Sequence, residues 1–97
     1  MPTYISLTHY TQQGIQNVKQ SPARVDAFKK ALQAAGATLK GFYLVMGQYD
    51  FATIIEAPDD TTVAKITLAI GALGNVRTET HRAFTEDEFR RIIAQLP

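Results

Sequence analysis

Ninety-seven residues, 45% of them apolar, describe one small domain spanning residues 1–97 that is neither disordered nor of low complexity. Ten basic against nine acidic residues leave a net charge of +1; with no stripe of clustered Lys and Arg, this argues against a nucleic-acid partner. The absence of cysteine removes disulfides, thiolate nucleophiles and cysteine-held metals together. No basic leader precedes an apolar run, and no stretch approaches the ~20 apolar residues of a membrane span. A soluble, cytoplasmic protein without a membrane partner is expected.

In chain order, Thr3 to Tyr10 alternates, with Ile5 and Leu7 on one side and Tyr4, Ser6, Thr8 and Tyr10 on the other. This predicts a strand with one strongly apolar face. Thr11 to Gln20 is polar around Gly14 and has room for one helical turn, with Ile15 and Val18 at the edge of the core. Ser21 as N-cap and Pro22 as first helical residue open an amphipathic helix in which Val25, Phe28, Leu32 and Ala35 recur at spacings of three and four, and Gly36 stops it. Leu39 to Met46, aromatic and aliphatic, is a second strand. Gly47-Gln48-Tyr49-Asp50 then supplies turn chemistry for a hairpin, with Asp50 capping the turn and Tyr49 covering the sheet end.

Phe51 to Glu56 is the third strand, ended by Ala57-Pro58 because proline cannot donate to a ladder. Asp59 or Asp60 caps a second helix whose Val63, Ile66, Ile70 and Leu73 face inward, with Gly74 past its end. Asn75 to His81 is the fourth strand. Thr85 with Glu88 three residues on forms a capping box opening a last helix, with Phe89, Ile92, Ile93 and Leu96 inward.

The order β-α-β-β-α-β plus a C-terminal helix is an α+β, ferredoxin-like arrangement whose helices cover one face of the sheet. Yet the second and third strands are apolar on both faces: Phe42, Leu44 and Met46 alternate with Tyr43 and Val45, and Thr53 and Ile55 with Ala52 and Ile54. A half-solvated sheet is not written this way. The expectation is a homodimer of the dimeric α/β-barrel type, two sheets face to face. The alternative is a monomer whose last helix covers part of the sheet.

Arg77, Glu79 and His81 alternate along the fourth strand and share one face, opposite Val76, Thr78 and Thr80. Facing a cavity, Glu79 and His81 would suit proton transfer; facing water, the row is an ordinary charged edge strand. His9 falls in register with Ile5 and Leu7, placing it at the end of the apolar face, near the opening of a cavity between sheet and helices. Two histidines without clustered carboxylates argue against a metal site, and no cofactor is expected. Gly71-Ala72-Leu73-Gly74-Asn75 follows a helix instead of preceding one, so it is a helix stop and not a phosphate loop.

The Gly47-Gln48-Tyr49-Asp50 hairpin, the preceding Gly41-Phe42-Tyr43 and the following Glu56-Ala57-Pro58-Asp59-Asp60 resemble the GYD domain family, named for its Gly-x-Tyr-Asp element. Pro2-Thr3-Tyr4-Ile5, Ser21-Pro22-Ala23-Arg24, Leu73-Gly74-Asn75-Val76-Arg77-Thr78 and Arg82-Ala83-Phe84-Thr85 extend the likeness over nearly the whole chain. The resemblance implies a small, mostly bacterial protein of the dimeric α/β-barrel superfamily, and it carries no catalytic residues onto this sequence. Gly47, Tyr49 and Asp50 are assigned a structural role in the turn.

The expected function is a stand-alone, self-associating small-molecule-binding module, with its pocket near His9, Tyr10, Glu79 and His81. One alternative is a cofactor-independent enzyme similar to the antibiotic-biosynthesis monooxygenases, with His81 or His9 moving a proton. Another is a structural oligomerisation subunit.

Overall fold

The structure is a computed structural model that describes residues 1–97. Its elements are β1 (Thr3–Tyr10), α1 (Gln12–Gln16) with a 3-10 turn at Val18–Gln20, α2 (Ser21–Ala34), β2 (Thr38–Leu44), β3 (Phe51–Glu56), α3 (Asp60–Ala72), β4 (Val76–Ala83) and α4 (Glu86–Ala94). The strands form one antiparallel sheet in the order β2-β3-β1-β4, with α2 and α3 on one face. This is the ferredoxin-like α+β arrangement. β1 and β3 are central, and β2 and β4 are the edges.

Local chemistry explains most of the boundaries. Asp59 is the N-cap of α3, its Oδ1 accepting from the Thr62 N–H at 2.8 Å. Thr85 and Glu88 make a reciprocal capping box at α4: the Thr85 hydroxyl accepts from the Glu88 N–H at 3.2 Å, and the Glu88 carboxylate accepts from the Thr85 N–H at 2.9 Å. Gly36 at φ 77° and Gly74 at φ 84° leave α2 and α3 through the left-handed region. Gly14 has a different reason: a Cβ there would lie 1.8 Å from the carbonyl oxygen of Asn75. At that contact the first turn of α1 rides directly on the approach to β4.

Ser21 does not cap α2. Gln20 occupies that position without a side-chain bond, and the Ser21 hydroxyl pairs instead with Tyr10 Oη at 2.6 Å. β2 stops at Leu44, two residues earlier than expected, and Met46 is almost wholly exposed. Asp50 does not cap its turn either: its Oδ2 accepts from the Tyr10 N–H at 2.9 Å, and its own N–H donates to the Thr8 carbonyl at 2.8 Å. It fastens the hairpin to β1.

β1 turns its alternation opposite to the expected sense. Tyr4, Ser6 and Thr8 are buried under the helices, whereas Ile5 is 39% exposed on the other face. The pairing carries this parity across the sheet, setting Tyr4 beside Ile55, Ser6 beside Thr53 and Thr8 beside Phe51. The core is concentrated at one end of the interlayer, where Tyr4, Leu32, Ala37, Ile55, Ala57, Val63 and Ile66 cluster with Phe28, Leu39 and Ile70 against them. The Tyr4 hydroxyl donates to Asp60 in the first turn of α3, so a polar tip leaves the core toward a helix start. Leu73, expected inward, is exposed past the end of α3.

α4 departs most from expectation. Phe89, Ile92, Ile93 and Leu96 are 43 to 61% exposed, because α4 leaves the end of β4 without lying on the sheet or the other helices. The radius of gyration is 14.7 Å, against about 12.5 Å for a compact chain of this length.

Candidate functional site

Two regions carry chemistry, one on each side of the sheet. On the face without helices, the register places Ile5 opposite His81, Leu7 opposite Glu79 and His9 opposite Arg77. Arg77, Glu79 and His81 therefore share the open face with Ile5, Leu7 and His9. Glu79 Oε2 lies 2.8 Å from His81 Nε2, and the Tyr49 hydroxyl donates to the same oxygen at 3.2 Å. The hydrogen bond from His81, then that from Tyr49, hold the Glu79 carboxyl below the usual carboxylate range. Desolvation, then the bond to Glu79, push the Tyr49 phenol up. The His9 ring sits 6.4 Å from that of Tyr49, tilted by 41°.

This is a carboxylate bridged by an imidazole and a phenol at the outer edge of the sheet. Glu79 and His81 are each about half exposed. The group can accept and donate hydrogen bonds to whatever covers the face. Tyr49, a turn residue whose hydroxyl the sequence also offers as a donor alongside those of Tyr4, Tyr10 and Tyr43, is its third member, and the hairpin that places it is pinned by Asp50 to β1. Nowhere do three or more His, Asp or Glu side chains converge as metal ligands.

Tyr10 lies on the opposite face and does not join His9, Glu79 and His81. It belongs to the second region, a cavity of about 410 Å³ between the sheet and the splayed helices α2 and α3. The floor is built of unexpected residue types: Ser6, Thr8 and Thr53 stand where a core strand would carry aliphatic side chains, with Thr78 of β4 beside them, although the surface they present to the cavity is almost wholly apolar. Ser6 Oγ meets Thr80 Oγ1 at 3.0 Å. The walls are apolar, with Phe28, Phe42, Phe51, Ile66 and Ile70 among them. Phe51 is flanked by Phe42 at 5.0 Å and by Tyr10 edge-on at 5.2 Å. His9, expected near this opening, is separated from it by the thickness of the sheet.

The model of the GYD domain matches residues 4–93. The chain belongs to the GYD domain family. A Thermus thermophilus member is 34% identical over 84 residues, covering 86% of this chain and 88% of its own, and is called a glutamine synthetase and cystathionine beta-lyase binding protein. The crystal structure of TTHA0845, also from Thermus thermophilus, superposes with a TM-score of 0.56 at 25% identity, over 88% of this chain and 95% of that one. For this GYD domain protein the Gly-Gln-Tyr-Asp element acquires concrete work: Gly47 at φ 149° makes the turn, Tyr49 reaches Glu79, and Asp50 secures β1. No helix is long and apolar enough to cross a membrane.

Proposed function

We propose that this GYD domain protein is a homodimeric interaction module that joins copies through its open sheet face and α4, and in that form docks onto a metabolic enzyme. The observation that carries this reading is excess exposed surface of the wrong kind. The chain exposes 6681 Å², whereas a compact chain of 10.7 kDa exposes about 5,500 Å². The excess, roughly 1,200 Å², exceeds the ~800 Å² that each partner gives to a standard interface. It is contributed in part by Ile5 and Tyr43 on the sheet and by the apolar stripe of α4. Only 12 of 97 residues are buried, a small core for a domain that has no cysteine and so no disulfide to reinforce it.

A second copy suits this surface better than a dissimilar partner, because both unsatisfied patches lie on the same chain and a two-fold axis matches each to its equivalent. The name of the Thermus relative supports a protein partner for the assembled form, with glutamine synthetase and cystathionine beta-lyase as the first enzymes to test. The His81–Glu79–Tyr49 group at the rim would then supply polar contacts around an apolar centre.

Light scattering at micromolar concentration tests the dimer. We expect twice the chain mass for the wild type and a folded monomer for Ile5→Glu, which places a charge in the centre of the open face. A monomeric wild type would remove the basis of the reading. Pull-down with each purified enzyme then tests docking, and retention by the wild type but not by Ile5→Glu is the expected result.

A further inference from the structure

We infer that the cavity between the sheet and helices α2 and α3 binds a small amphipathic carboxylate, an apolar chain or ring bearing one carboxylate held by Arg24. The inference is independent of self-association, since the cavity lies on the other side of the sheet.

Native interiors hold few voids larger than a water molecule, and ligand pockets span about 300 to 1,000 Å³. At about 410 Å³ this cavity is of the second kind. Its walls select an apolar body. Its one charged lining residue is Arg24, near the start of α2, a helix whose first turn holds no acidic residue. Arg24 Nη2 donates to the Asn17 carbonyl at 3.0 Å, which fixes the guanidinium, while Nη1 is shielded from solvent and has no acceptor. No carboxylate of the chain forms an ion pair with it.

A carboxylate is the natural complement of a guanidinium that lines an apolar cavity and is paired with no acidic side chain of the chain. The Tyr10–Ser21 hydroxyl pair lines the same cavity and can donate to the second carboxylate oxygen. A dianion or a phosphate would lack a second cation, which restricts the class to monocarboxylates.

The test uses the isotope-labelled full chain titrated with decanoate and, separately, with 1-decanol, following backbone amide resonances. Decanoate should give saturable shifts at Thr8, Tyr10, Ser21, Phe51 and Thr53, while Glu79 and His81 on the far face stay in place. Losing the charged contact should weaken binding roughly tenfold or more, so decanol should bind that much more weakly than decanoate, and Arg24→Gln should lower decanoate affinity without changing that of decanol. Absence of cavity shifts with decanoate, shifts confined to the open face, or equal affinity for decanoate and decanol in the wild type would each overturn the assignment. The last comparison needs no variant and stands even if Arg24→Gln fails to fold.

Discussion

Tyr4 shows how one side chain joins the core to a helix start. Its ring is 3% exposed within the main cluster, its hydroxyl donates to Asp60, and the Arg82 guanidinium lies 5.8 Å from the ring centroid. Burial first, and the bond to Asp60 second, push the phenol up from 10.0 to about 12. Below pH 10 it is protonated in both folded and unfolded chains, so its contribution to stability is fully present. Between 10 and about 12 the unfolded chain gives up the proton first, the folded state binds more protons, and stability falls as pH rises. Tyr4→Phe should cost about 1 to 2 kcal/mol at neutral pH and should flatten that alkaline decline, as measured by urea unfolding at a series of pH values. An equal alkaline slope in the variant would show that another group is responsible. At this scale the sequence was legible where side chain and backbone are neighbours. The Thr85–Glu88 box follows from spacing alone, and spacing narrows the cap of α3 to Asp59 or Asp60, of which the structure uses Asp59. Ser21 has the look of a cap in sequence, yet its hydroxyl is taken by Tyr10, eleven residues away, and Arg24 stands out in sequence only as part of a family pattern because nothing local marks a guanidinium that faces a cavity without a carboxylate partner.

At the scale of elements, periodicity states which side chains share a face and leaves open what that face meets. The grouping of Ile5, Leu7 and His9 against Tyr4, Ser6 and Thr8 held residue by residue, yet the helices chose the second group. The Tyr4–Asp60 link and the pairing with Phe51, Thr53 and Ile55 determine that choice, and both depend on residues more than 40 positions distant. The same holds for α4, whose stripe of Phe89, Ile92, Ile93 and Leu96 is clear in sequence and unpartnered in the chain. Because few tertiary contacts hold this helix, its stability rests heavily on the capping box and on the acidic first turn of Glu86, Asp87 and Glu88. Thr85→Ala removes one half of the box and should cost about 1 kcal/mol. In the monomeric Ile5→Glu background this cost should appear as faster hydrogen exchange across residues 86–94, with β1 and β3 unchanged. A uniform acceleration through the sheet would mean that α4 belongs to the core cooperative unit after all.

At the scale of the whole molecule, the layer that folds well in one chain is the helix-covered one, and even that layer contains a cavity. The opposite face and α4 add apolar surface that a single copy leaves in water. In the proposed dimer, folding and association are therefore coupled, because the interface supplies burial that the small core lacks. Coupling of this kind has a signature that no mutation is needed to read. For two chains unfolding together, each tenfold increase in protein concentration stabilises the assembly by about 1.4 kcal/mol, so the urea midpoint should rise steadily between low and high micromolar protein. The Ile5→Glu variant, whose charge opposes burial of the open face, should unfold at a lower midpoint that does not move with concentration. If the wild-type midpoint is equally insensitive to concentration, the core formed by Tyr4, Leu32, Ile55, Val63 and Ile66 suffices on its own, and the exposed face serves a partner other than a second copy.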